Sequence, residues 1–209
     1  MKILIIGNKG NMGKRYTAIL NYLGVEHIGI DEGDDFYPPR QTYDKAIICT
    51  PTESHYRNCY DMAILDKDFL CEKPVSKDLD EVSGLVKYCK HKKVTGSMVC
   101  NWQWALGFDK LNPNSNTIFY DNYNTGKDGI GWDCIQLIYL DKKFPAIKNQ
   151  SPYFSASINS ISSNLKMIEH SYIFMIDKWL KGSKDIWTME DAYKATEKVI
   201  EYNKMKGIE

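Results

Sequence analysis

Lys2-Ile3-Leu4-Ile5-Ile6 runs straight into Gly7-Asn8-Lys9-Gly10-Asn11-Met12-Gly13. The first five residues are a short apolar run that reads as a buried strand. The glycine turn opens a helical pattern over residues 14–23, closed by Gly24. A second β-type run, residues 25–30, ends on Asp31. Strand, glycine turn, helix, strand, acid is the layout of a dinucleotide-binding βαβ unit. Gly10 and Gly13 let the backbone turn tightly and approach a pyrophosphate. The helix that follows offers unpaired N–H groups and a positive dipole end to the phosphates. Asp31 can accept hydrogen bonds from the ribose hydroxyls of an adenosine. A strict Gly-x-Gly-x-x-Gly would put its first glycine at Asn8; the looser reading is Gly7-x-x-Gly10-x-x-Gly13. Asn tolerates positive φ better than most residues, so the departure is mild. The alternative, a turn that serves only strand-to-helix packing, leaves Asp31 unexplained.

The 209 residues suffice for one large domain or two small ones. Lys plus Arg and Asp plus Glu number 27 each, so no net basic field recruits nucleic acid or an anionic membrane. No apolar run approaches the roughly 20 residues that span a bilayer. The first residues read as a strand and not as a signal peptide, which makes a cytoplasmic protein the expectation. The six cysteines form no Cys-x-x-Cys pair and several sit in apolar runs. They read as small buried hydrophobes, with no metal site expected.

Farther along, residues 32–43 carry Gly33, Pro38 and Pro39 and no helical period, so the second crossover is expected as an extended loop. Residues 45–50 read as a buried strand ended by Pro51. Ser54 is expected to cap a helix over 54–65. Residues 68–73 read as a strand ended by Pro74; Ser76 or Asp78 starts a helix to about Lys92; residues 94–101 form a further strand. Strands alternating with helices imply an α/β, doubly wound Rossmann sheet over residues 1–101. The grain changes at Trp102. Residues 102–209 read as a smaller α+β domain: a strand at 117–123, a helix at 131–140, one strand at 153–158, an amphipathic helix from Ile161 to near Gly182, and a last helix capped by Thr188 with Asp191.

Two further motifs end consecutive strands, where open α/β sheets bind ligands. They are Thr50-Pro51-Thr52-Glu53-Ser54-His55 and Glu72-Lys73-Pro74. Taken with the glycine turn and Asp31, in that order, residues 1–101 resemble the glucose–fructose oxidoreductase / inositol dehydrogenase / MocA (Gfo/Idh/MocA) family. The resemblance resumes weakly over the C-terminal helices. It implies an NAD-dependent oxidoreductase moving a hydride between the nicotinamide and a hydroxyl or carbonyl of a sugar-like or nucleotide-sugar substrate. It implies that Gly7, Asn8, Gly10, Asn11, Met12, Gly13, Asp31, Thr50, Pro51, Thr52, His55, Glu72, Lys73, Pro74 and Asn101 line the cofactor. Lys73 would polarise or protonate the substrate oxygen.

The family's second signature, Asp-x-x-x-His on a helix, falls on Asp133 and Leu137. Leucine exchanges no proton, and Gln136 beside it can only hydrogen-bond a substrate. Either Lys73 alone handles the proton, or another residue substitutes, with Asp133 and Gln136 as the further catalytic candidates; Asp133 reads equally as a helix N-terminal acid complementing the dipole. A non-catalytic NAD-binding sensor or subunit is the alternative. Asp31, with no Arg following it up to Asp35, favours NAD over NADP. The shortened second domain and its Tyr- and Trp-rich residues 102–123 lead to the expectation of a homodimer or higher homo-oligomer.

Overall fold

In the computed structural model the described residues are 1–31, 33–34, 38–104, 118–121, 130–140, 146–148, 155–158, 161–163 and 165–208. The apolar run that opens the chain becomes β1 (Lys2–Ile6), an interior strand of a five-stranded sheet. The others are β2 (Glu26–Ile30), β3 (Lys45–Ile48), β4 (Asp68–Cys71) and β5 (Gly96–Met98), in the order β2-β1-β3-β4-β5, all parallel. Side chains on both faces of the middle strands are closed off: Ile3, Leu4, Ile5, Ala46, Ile47, Ile48, Phe69, Leu70 and Cys71 have no exposed surface. That is what a parallel sheet between two helical layers requires, and it explains why these strands read as unbroken apolar runs.

Three helices join these strands. α1 (Asn11–Tyr22) follows β1, α2 (Thr52–Ile64) follows β3 and α3 (Leu79–Lys92) follows β4. Asp78 caps α3, accepting from the N–H groups of Asp80 (2.8 Å) and Glu81 (3.4 Å). α2 begins two residues earlier than expected, with Pro51 at its N-cap and no capping side chain, so Ser54 lies inside the helix. Proline's fixed φ and missing N–H suit a helix start, and this decides the boundary. Between β2 and β3 the described residues hold only a 3-10 turn, Arg40–Thr42, in keeping with a crossover made by a loop. The chain leaves β1 toward β2 on one side and returns to β3 on the other. The loops after β1 and β3 therefore part, opening a crevice at the carboxyl ends of the strands.

The remaining elements are β6 (Ile118–Asp121), α4 (Ile130–Asp133), α5 (Ile135–Leu140), β7 (Ala146–Lys148), β8 (Ser155–Ile158), β9 (Ile161–Ser163), α6 (Leu165–Leu180) and α7 (Met189–Lys206). The four strands form a mixed sheet in the order β7-β6-β8-β9. β6 pairs parallel with β7 and antiparallel with β8, which pairs antiparallel with β9. β7 and β9 depart from expectation, and α6 starts at Leu165 instead of Ile161. A three-residue strand is too short for its alternation to show, and Ile161 happens to fall in step with the helical spacing of Leu165 and Ile168. Most of the Tyr- and Trp-rich stretch, residues 105–117 and 122–123, lies outside the described residues.

By compactness the chain divides into Met1–Val99 with Trp179–Tyr193, and Cys100–Lys178 with Lys194–Glu209. The return of Trp179–Tyr193 to the first unit was not expected from sequence. It is held there by Met98, whose N–H donates to the Trp187 carbonyl at 3.0 Å. A bridge between Ser97 and Thr188 and the Lys45 ammonium 5.3 Å from the Trp179 ring centre add to it. Thr188 and Asp191 cap α7 reciprocally, as their spacing predicts: Asp191 Oδ2 accepts from Thr188 N–H at 2.9 Å and Thr188 Oγ1 accepts from Asp191 N–H at 3.4 Å. All six cysteines are buried and unbridged. No helix among the described residues is long and apolar enough to cross a membrane.

Candidate functional site

The turn between β1 and α1 is stitched to the end of β2. The N–H groups of Gly7 and Asn8 both donate to the Ile30 carbonyl, at 2.8 and 3.2 Å. Gly7 sits at φ 94°, and a Cβ there would lie 2.8 Å from the Cys49 carbonyl and from the Thr50 nitrogen. A Cβ on Gly13 would drive into the Gly7 carbonyl oxygen and the Asn8 backbone. The Asn8 side chain occupies the space that Gly29 leaves on β2, and its buried Oδ1 has no hydrogen-bond partner. Gly10 is different. Its backbone is extended (φ −69°, ψ 169°), and an added Cβ would meet only the Gly7 oxygen, at 3.4 Å. Among the described residues nothing forbids a side chain at Gly10.

Gly10 is also the N-cap of α1, where no side chain caps the helix and no acid stands in the first turn. The N–H groups of residues 11–13 have no intrahelical acceptor, as at any helix start. This uncapped positive end faces a cleft of about 560 Å³, walled by Gly7, Gly10, Asp31, Thr50, Pro51 and Asn58 among others. An elongated ligand with a diphosphate fits such a wall. At one end the Asp31 carboxylate accepts from Lys9 N–H at 2.8 Å. The Asp31 N–H in turn donates to Asp34 Oδ2 at 2.7 Å, and the Lys9 ammonium pairs with Asp34 Oδ1 at 2.5 Å. The hydrogen-bonded pair holds the Lys9 pKa above its usual value and the Asp34 pKa below its own. Arg40 is engaged elsewhere, with Asp66 at 2.8 Å in the loop entering β4.

On the other wall Thr50 Oγ1 accepts from Asn58 Nδ2 at 3.1 Å. Ser54, Arg57 and Asn58 also line the cleft, and sequence reasoning missed them. Their spacing of three and four places them on the face of α2 that Pro51 begins, which was the available signal. Cys49 reaches the cleft too, with its thiol against the carbonyl oxygens of Ile6 (3.3 Å) and Gly7 (3.6 Å). Burial, helped by the carboxylates of Glu72 and Asp31, raises its pKa far above the usual thiol range. Cys49 thus stands at the wall as a thiol held in its neutral form.

His55 is 2% exposed. Its Nδ1 lies 2.6 Å from the Pro74 carbonyl oxygen and its Nε2 lies 2.7 Å from that of Thr50. The ring thus ties the strand-end turn of β3 to that of β4. Glu72 is buried at 7% exposure, accepting from the Tyr16 hydroxyl at 2.6 Å through Oε1 and from Lys73 N–H at 3.1 Å through Oε2. Tyr16, on α1, was not anticipated as part of the site. Lys73 is half-buried at the end of β4 and is joined to Pro74 by a cis peptide bond. Tyr16→Phe leaves a buried carboxylate short of a donor and is expected to cost about 2 kcal/mol, the scale of a hydrogen bond to a charged group. Urea unfolding reads this directly, and an unchanged midpoint with an unchanged slope would show the bond to be dispensable.

The other residues expected in the site fall in the second compact unit. Asn101 is buried and donates through Nδ2 to Ser171 Oγ at 3.0 Å. Gln136, also buried, accepts from Trp102 N–H at 3.3 Å. Asp133 ends α4 half-buried, and the backbone of Leu137 lies in α5. Among the described residues no group of three His, Cys, Asp or Glu side chains could hold a metal ion.

A Rossmann sheet with an open glycine turn, an acid at the end of β2 and two motif-bearing strand ends defines a dinucleotide-binding domain. Residues 34–99 match the Gfo/Idh/MocA family model, described as oxidoreductase family, NAD-binding Rossmann fold. The matched stretch carries two of the motifs by which the sequence resembles this family, Thr50–His55 and Glu72–Pro74. Solved structures with the same fold include a probable dehydrogenase from Thermotoga maritima (TM-score 0.78, 13% identity, covering 96% of this chain and 95% of that one). Another is the UDP-N-acetylglucosamine 3-dehydrogenase GnnA from Acidithiobacillus ferrooxidans (TM-score 0.76, 10% identity, 96% of each chain). A third is the WlbA (WbpB) dehydrogenase from Thermus thermophilus in complex with NAD and UDP-GlcNAcA (TM-score 0.74, 12% identity, 95% of this chain and 93% of that one). No curated protein matches the chain.

Proposed function

We propose that this chain is an NAD-dependent oxidoreductase acting on a hydroxyl or carbonyl carbon of a sugar-like or nucleotide-sugar substrate. The observation that carries the reading is the uncapped, acid-free start of α1 beside the space left at Gly10, with Asp31 at the end of the same cleft. The amides of residues 11–13 would hold the diphosphate. Asp31 would take the adenosine ribose, with Thr50 and Pro51 along the other wall. The bound nicotinamide would supply hydride transfer, a chemistry no side chain performs. The protein's own part is to orient the substrate and move a proton. Lys73 is the candidate for that proton, at the strand end held by Glu72, Tyr16 and His55. Asp133 and Gln136 remain candidates read from the sequence, with Gln136 limited to hydrogen bonding. The sugar-like class rests on the named substrates of the structural relatives. The test is NADH absorbance in the presence of a panel of sugars and nucleotide sugars, after retention on immobilised NAD. Retention with turnover supports the proposal. Failure to be retained ends it.

Leu137, where the family motif has a histidine, favours a second reading: an NAD-binding sensor or subunit without turnover. Retention on immobilised NAD with no turnover on any panel member is the outcome that selects it.

Cofactor choice follows from charge. A 2′-phosphate would meet the carboxylates of Asp31 and Asp34, and Arg40 is held by Asp66. Calorimetry is expected to show NADH binding at least tenfold tighter than NADPH, about 1.4 kcal/mol. Tighter NADPH binding would overturn the choice. We also propose a homo-oligomer, resting on the aromatic residues 102–123 as read from sequence. Light scattering at micromolar concentration is expected to give at least twice the mass of 24.1 kDa; a monomer refutes it.

A further inference from the structure

Asp34 lies in the loop after β2, and both of its carboxylate oxygens are committed. Oδ2 accepts from the Asp31 N–H at 2.7 Å and Oδ1 holds the Lys9 ammonium at 2.5 Å. Lys9 is a residue of the glycine turn, and its own N–H fixes the Asp31 carboxylate at 2.8 Å. The three residues close a ring: turn amide to Asp31, Asp31 amide to Asp34, Asp34 to the turn's ammonium. A lysine at this place, beside the ribose end of a dinucleotide cleft, is what a 2′-phosphate would seek. Here a carboxylate already holds it. The two carboxylates and one ammonium of these three residues sum to one net negative charge.

We propose that Asp34 is a positioning and specificity residue: it orients Asp31 for the ribose hydroxyls and sequesters the Lys9 ammonium from a 2′-phosphate. The inference rests on the NAD-binding reading above and adds the source of its selectivity. Asp31 alone would repel the phosphate while Lys9 attracted it, and the outcome would turn on which lay nearer. With Asp34 present the attraction is already satisfied. Both side chains of the pair are well exposed on one side, 64% for Lys9 and 31% for Asp34. The effect is therefore that of a surface ion pair, screened by salt.

The experiment is titration of the full chain with NADH and with NADPH by nucleotide fluorescence, at low and at physiological salt. Asp34→Asn keeps an oxygen for the Asp31 N–H but releases Lys9. It is expected to weaken NADH about twofold and tighten NADPH about fivefold, the scale of one exposed ion pair. The NADPH gain should shrink in salt. Lys9→Met combined with Asp34→Asn should abolish it, because the gain comes from the freed ammonium. Equal loss of both nucleotides in Asp34→Asn would mark a merely structural residue and overturn the proposal. So would a ratio that does not move, or a gain that survives Lys9→Met. If the unaltered chain binds neither nucleotide, the NAD-binding reading itself fails. If it binds NADH while the ratio stays fixed, only this inference fails.

Discussion

Gly10→Ala is expected to leave the chain folded and strip it of NADH binding, whereas Gly13→Ala is expected to unfold it. The two glycines lie three residues apart in one motif, but an added methyl group meets different things. At Gly13 it would lie 2.5 Å from Asn8 Cα and 2.6 Å from the Asn8 carbonyl carbon. Those are backbone atoms pinned by the bonds of Gly7 and Asn8 to Ile30, so neither side can yield. The cost should be on the order of 3 kcal/mol or more, above the usual range for an overpacked core site. At Gly10 the methyl group meets one oxygen at 3.4 Å and φ is already negative, so stability should change by less than about 0.5 kcal/mol. On the proposed reading, the same methyl group would stand where the diphosphate approaches the α1 amides. Losing even one or two charge-assisted bonds is worth about 3 kcal/mol, on the order of a hundredfold in Kd. Thermal unfolding and NADH titration of both variants check this. NADH binding by Gly10→Ala at wild-type affinity would remove the cofactor from this turn.

If the chain turns over, Lys73→Ala should lower kcat by on the order of a hundredfold or more, the usual scale for a general acid. NADH affinity should stay within several-fold, because on the proposed reading the adenosine and diphosphate would be held at the ends of β1, β2 and β3. Lys73→Arg should not rescue turnover, since a guanidinium keeps its proton throughout the working pH range. The backbone at Lys73 is fixed independently of its side chain: its N–H donates to Glu72, which Tyr16 holds, and His55 grips the Pro74 carbonyl. The alanine variant therefore removes an ammonium without moving the loop. Turnover that survives it unchanged would sink the mechanism and move the search to Asp133, Tyr139 and His170, the last of which is exposed on α6.

The Rossmann half was legible because its signals are local. A buried parallel strand must be apolar throughout, a tight turn must have glycine, and proline ends strands; β1, β3 and β4 all announce themselves in this way. The same locality placed Asp31, Thr50 and Lys73 at strand ends, and Asp78 and Thr188 at helix starts. Roles that depend on a partner distant in sequence were not legible. Tyr16 and Glu72 are 56 residues apart, and only the fold brings the hydroxyl to the buried carboxylate. His55 carries a binding motif's signature, yet the structure sets both its ring nitrogens on backbone carbonyls. Asn101 and Gln136 are engaged by Ser171 and by Trp102 N–H. The short strands β7 and β9 have no period to read. Sequence alone determined which segments must be buried and where the chain must turn, since these are properties of neighbouring residues. Which polar groups are held by the protein and which face the cleft was decided only by tertiary structure. Hydrogen bonds are satisfied in space, by whatever group the fold delivers.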